Sequence, residues 1–154
     1  MTVRLRGMPI PGLRSPHDKV GGLVYFGRML DKIRLHEAGK LPPEYVANLG
    51  EGDWYFFDAR CCRFLGAKFK ALVKRVHRGG TDLQILRWCF AQGGKRSAEQ
   101  IAIWNTFLAK RGWRDEASGG VQEEKAAAGL GRRKDIVTWF DLMDAEEGRK
   151  VKSR

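Results

Sequence analysis

The sequence predicts an all-α, compact single-domain bundle of about six helices with short Gly-rich connections. Two observations carry that expectation. Apolar residues recur at helical spacing in one segment after another, and most of these segments stop at glycine. No stretch alternates as a half-buried strand would, and no internal repeat is visible. At 154 residues, with 43% hydrophobic residues, the chain is long enough to bury one core without help from metal or disulfide.

Residues 1–16 hold Pro9, Pro11 and Pro16 with several arginines, and read as a basic extended arm. Residues 17–148 form the helical domain, and 149–154 a basic tail. Ser15-Pro16 offers a helix start. From Leu23 the periodic residues Leu23, Phe26, Leu30 and Ile33 share one face until Gly39, after which Pro42-Pro43 blocks resumption. A second helix is expected from Asp53 to Leu65, ending at Gly66. A third, from Ala67 to Arg78, carries Phe69, Leu72 and Val76. Thr81 opens a fourth, with Leu83, Leu86 and Phe90, closed by Gly93-Gly94. Ser97 and Gln100 have capping-box spacing ahead of a fifth, lined by Ile101, Trp104 and Leu108. A short helix between flexible turns is expected within 113–134, and a last one in the acidic segment 135–147.

That last segment has five acids and no base, in a chain of net charge +11. The remainder then sets 29 bases against 13 acids. Such a segment either docks on its own chain or serves a site. A pI near 10.0 speaks of association with polyanions rather than of fold. With no apolar run long enough for a signal peptide or a membrane span, a cytoplasmic protein without a membrane partner is expected. Cys61, Cys62 and Cys89 include no Cys-x-x-Cys pair, so buried reduced thiols are expected and neither metal nor cofactor.

Several short motifs follow one another along the chain. They are Gly21-Gly22-Leu23-Val24, Arg28-Met29-Leu30-Asp31-Lys32-Ile33-Arg34, Asp58-Ala59-Arg60, Phe64-Leu65-Gly66, Ile103-Trp104-Asn105 and Thr138-Trp139-Phe140-Asp141-Leu142. In this order the chain resembles, over about residues 14–148, a family of small, mainly helical bacterial proteins known as a domain of unknown function. The resemblance implies a single helical bacterial domain and no activity. The basic arm, the Cys61-Cys62 pair and the high positive charge depart from the family pattern.

Three functional expectations follow. The first is non-catalytic, sequence-tolerant binding to a DNA or RNA backbone. Lys70, Lys74 and Arg78 recur every four residues opposite the apolar face, and unopposed like charges there cost about 0.2–0.5 kcal/mol per pair. Phosphates would relieve that repulsion and release counterions. Arg75, Lys95 and Arg96 extend the surface. The competing explanation is that these bases meet acids from the C-terminal segment. The two helices around Gly93-Gly94 are a weak helix-turn-helix signal, because Ile101, Ile103, Trp104 and Phe107 suit a buried hairpin. Of the five tryptophans, Trp54 and Trp113 are the expected exposed ones.

The second expectation is a small-molecule or enzymatic pocket built on Asp31, Asp58, Asp141 and Asp144, with Arg34, His36 and Trp139. Paired carboxylates can share a proton or receive arginines. No Walker loop, zinc-binding His pair or nucleophile elbow accompanies them, so the enzyme question stays open. The third is a protein partner, offered the acidic segment as a detachable amphipathic helix.

Overall fold

The computed structural model describes residues 6–152. The first five residues of the basic arm and the last two of the tail lie outside the described residues. Among those described, the chain is mainly helical. Its helices are α1 (Phe26–Glu37), α2 (Pro43–Val46), α3 (Phe57–Leu65), α4 (Phe69–His77), α5 (Asp82–Gly93), α6 (Ala98–Lys110), α7 (Ser118–Ala127) and α8 (Trp139–Glu146). Eight helices therefore replace the expected six or so, and a small hairpin precedes them.

That hairpin pairs β1 (Lys19–Val20) with β2 (Leu23–Val24), antiparallel, with Val20 opposite Leu23. Gly21 and Gly22 connect the strands at φ 56° and 85°. Positive φ at both central residues is what a tight two-residue hairpin needs, and glycine adopts it without steric cost. A Cβ on Gly21 would also lie 2.5 Å from Leu86 of α5. The helix expected from Leu23 thus begins at Phe26, after Ser15 and Pro16 have been used in turns; Tyr25 N–H donates to the Pro16 carbonyl. The extra helix α2 has a simple cause. Pro43 sits in its first turn, where the missing N–H would have no helical acceptor, so the proline pair starts a helix instead of preventing one.

Capping fixes three of the later helices. Thr81, Ser97 and Thr138 each make a capping box, with Gln84, Gln100 and Asp141 respectively. The core joins α1, α3, α4, α5, α6 and α8, with Phe26, Leu30, Leu65, Leu72, Ile85, Leu108 and Phe140 at its centre. Phe64 stacks on Trp104, ring centroids 4.7 Å apart. On α5 the buried face is Ile85, Leu86 and Cys89, while Leu83 is 48% exposed. The expected stripe was therefore displaced around the helix. On α6, Ile103 and Phe107 face outward, not into a buried hairpin as expected. All three cysteines are buried and free.

Two of the sequence motifs meet across the fold. The Asn105 side chain accepts from Val24 N–H and donates to the Gly22 carbonyl, and Trp104 Nε1 donates to Val24 O. The hairpin is thereby pinned to α6. The described part of the arm is also anchored. Ile10 and Leu13 pack with Leu41 and Tyr45, and Arg14 bonds Asp31 and Asp82. At the other end Val151 packs with Ile136, Leu142 and Ala145.

Candidate ligand-binding cleft

The first two turns of helix α1 are buried on every side, so Arg28, Asp31 and Lys32 are withdrawn from water along with the apolar residues between them. Tyr25, Arg28 and Lys32 follow one another at intervals of three and four residues, which places them along one face. That face forms the floor of a cleft of about 1010 Å³. Its walls come from α2 and Asn48, the aromatic segment Trp54–Phe57, Arg60 of α3, the loop from Arg111 into α7, and Trp139, Leu142, Met143, Glu146 and Glu147 at the end of the chain.

Two ionic networks hold the floor. In the first, Lys32 Nζ lies 3.0 Å from Asp58 Oδ2 and 3.2 Å from Asn48 Oδ1. The Tyr25 hydroxyl donates to Asp58 Oδ1 at 2.5 Å, and Gly50 N–H donates to the same carboxylate at 2.8 Å. In the second, Arg28 and Glu147 form a two-pronged pair at 2.7 and 2.6 Å, and Tyr45 Oη donates to Glu147 at 2.8 Å. Arg149 adds a further bond to Glu147 at 2.6 Å and to Asp144 at 3.3 Å, and also donates to the Leu13 carbonyl. Asp58 and Glu147 are 0% and 1% exposed, so both carboxylates are fully withdrawn from water.

Burial acts on each group in the direction electrostatics requires. It pushes Lys32 below its ordinary value, although Asp58 opposes the shift. It pushes the Tyr25 phenol well above its ordinary value, and the Asp58 charge pushes the same way. For Glu147 burial is overcome by the Arg28 hydrogen bonds, which hold the carboxyl below its usual range. Tyr25 carries backbone strain as well. Its φ is 72°, a left-handed conformation that costs an ordinary residue on the order of 1–3 kcal/mol and persists only where its surroundings enforce it. The hydroxyl bond to Asp58 and ring contacts with Phe57 and Phe140 supply that enforcement.

The residues singled out from sequence are distributed differently. Asp31 receives Arg14, with Arg34 at 3.6 Å, and Arg34 bonds Asp82 at 2.7 Å. Asp141 turns back on its own helix, accepting from Val137 and Thr138 N–H. Asp144 accepts from Ser15 Oγ at 3.1 Å and lies 3.9 Å from His17 Nε2. His36 is exposed. The four carboxylates do not converge on one cavity. Asp58 lies beneath the cleft, bonded to two of its lining residues, and Trp139 lines it directly. Among the described residues no group of three His, Cys, Asp or Glu is placed to hold a metal ion.

On the opposite question, the acids of 135–147 leave the α4 bases alone. Asp135 meets Arg133, and Glu147 meets Arg28. Lys70, Lys74 and Arg78 are exposed, and among the described residues none has an ion pair. Arg75 instead donates to Gly79 O. Arg96 clasps the carbonyls of Phe64, Gly93 and Gly94, tying the end of α3 to that of α5. Lys95 is exposed. Phe140 is 0% exposed, stacked on Tyr25 and edge-on to Phe57, so that side of α8 is docked in the core, while Trp139 is half-buried.

The fold and its cleft define a small helical domain with an aromatic-walled cavity floored by buried ion pairs. The chain belongs to the family DUF5069, a domain of unknown function, whose model matches residues 10–149. No curated protein matches it. No helix among the described residues is long and apolar enough to cross a membrane.

Proposed function

We propose that the cleft over Tyr25, Arg28, Lys32 and Glu147 binds a small molecule. The observation that carries this reading is a strained, buried tyrosine at the base of a cavity of drug-sized volume. Ligand sites are typically concave, mostly apolar and fitted with a few convergent polar groups, and backbone strain concentrates there. Tyr25 and Tyr45 line the cleft with their hydroxyls bonded to Asp58 and Glu147, and Trp54 and Trp139 add aromatic surface. The tryptophans supply an internal control. Trp54 and Trp139 line the cleft, whereas Trp104 is buried in the core and Trp88, half-buried, packs against it. Titration of the labelled protein with a panel of small aromatic and polar compounds is expected to shift the Trp54 and Trp139 indole resonances and leave Trp88 and Trp104 in place. Shifts confined to Trp88, Trp104 or Trp113, or none at all, would remove the reading.

A second reading rests on a separate observation, the exposed bases of α4 that have no ion pair among the described residues. Lys70, Lys74 and Arg78, extended by Lys95, would contact a DNA or RNA backbone without reading sequence, with Arg75 and Arg96 held by carbonyls nearby. Duplex DNA, single strands and RNA, titrated at several salt concentrations, test it. Absence of binding at low salt would eliminate it.

A further inference from the structure

The charges of the cleft are not equally provided for. Arg28 faces Glu147, Lys32 faces Asp58, and Arg111 faces Glu116 at 2.8 Å and Asp115 at 3.4 Å. Arg60, on the same lining, has no carboxylate within ion-pairing distance among the described residues. Its Nε donates to the Tyr55 carbonyl at 3.1 Å, and its guanidinium lies 5.3 Å from the ring centres of both Trp54 and Phe107. Burial and the neighbouring Arg111 and Arg63 charges press its pKa down, outweighing the Glu116 carboxylate, which is itself bonded to Arg111. A cation in that position is short of an anion.

The aromatic rings beside it are exposed yet held. Trp54 is 69% exposed, but Arg63 fixes its carbonyl at 2.6 Å, and its ring makes an edge contact with Tyr55. Large aromatic side chains kept in place against water are the usual anchors of recognition. Arg6 is a further cation of the lining, and Glu44, Glu116 and Glu124 are carboxylates of it, so Arg60 is set apart by its place beside the Trp54 ring.

Building on the cleft reading, we propose that the ligand carries a planar aromatic ring and an anionic group, the ring lying on Trp54 and the anion paired with Arg60. Cation–π contact and ring stacking reinforce each other there, since Arg60 already sits over the indole.

Three probes sharing one ring test this: naphthalenesulfonate, naphthylmethanol and naphthylmethylammonium, each titrated by calorimetry into the full chain. A charge-assisted bond to Arg60 is expected to favour the sulfonate over the alcohol by about tenfold or more, with the ammonium weakest. Arg60→Glu is expected to abolish that preference, and Arg60→Lys to restore part of it. Circular dichroism and the core indole resonances of Trp88 and Trp104 would verify that the variants are folded. Equal affinity for alcohol and sulfonate would overturn the anionic ligand while leaving the cleft reading intact. A sulfonate preference that survives Arg60→Glu would overturn the assignment to Arg60. No binding of any probe to the unsubstituted chain would count against both.

Discussion

Lys32 and Lys70 are the same residue in opposite circumstances. Lys32 lies 3% exposed on the cleft floor, shared between Asp58 and Asn48, whereas Lys70 stands exposed on α4 with no ion pair among the described residues. The floor therefore depends on its charges for its integrity, and the α4 stripe does not. A buried charge that loses its partner is costly, while an exposed one is already solvated. The difference teaches that a high positive charge and a functional site need not coincide. The bases of the α4 stripe are exposed, and Arg28 and Lys32 on the cleft floor are neutralised within it.

The comparison can be broken most forcefully at Asp58. Asp58→Ala strands Lys32, the Tyr25 hydroxyl and Gly50 N–H at once, with an expected loss of about 3–5 kcal/mol read from urea unfolding. A loss comparable to that of a surface substitution would mean that the floor is not a coupled unit. A smaller effect is expected from acid. The Glu147 carboxyl is held below its ordinary value when folded, so the unfolded chain binds that proton more readily. Its contribution is complete above about 4.3, the ordinary glutamate value, and is lost as pH falls through the lower folded value. Unfolding measured against pH should accordingly show a steep acid limb that Glu147→Gln flattens. The smallest effect belongs to α4. The combined Lys70→Glu, Lys74→Glu, Arg78→Glu variant should hold its stability within about 0.5 kcal/mol while losing any affinity for nucleic acid. Unchanged nucleic-acid affinity would misplace that surface.

Legibility from the sequence followed local chemistry. Ser97 and Gln100 announced a capping box and one is present. The apolar spacing on α1, α4 and α6 identified their buried faces, because a helix must turn one stripe inward. What escaped was either too short or dependent on other parts of the chain. A hairpin with two-residue strands leaves no alternation to detect, though Gly21-Gly22 was its signature. Pro43 was read as a breaker when its place in the chain made it a starter. For the cleft, Asp58 and Trp139 were visible as chemistry-bearing residues, but Asp31, Asp141 and Asp144 were drawn off by Arg14, a helix cap and Arg149. The floor itself was hidden because Arg28 and Lys32 carry no local signal of burial. Glu147 meets Arg28 across 119 positions, a pairing that spacing along one helix cannot reveal.

The central claim, that the cleft rather than the α4 stripe is the working surface, is most directly tested by native mass spectrometry of the protein purified gently from cells. The expected spectrum contains a non-covalent small-molecule adduct that Arg60→Glu loses and the Lys70→Glu, Lys74→Glu, Arg78→Glu variant keeps. Co-purified nucleic acid that survives Arg60→Glu and vanishes with the α4 charge reversal would contradict it.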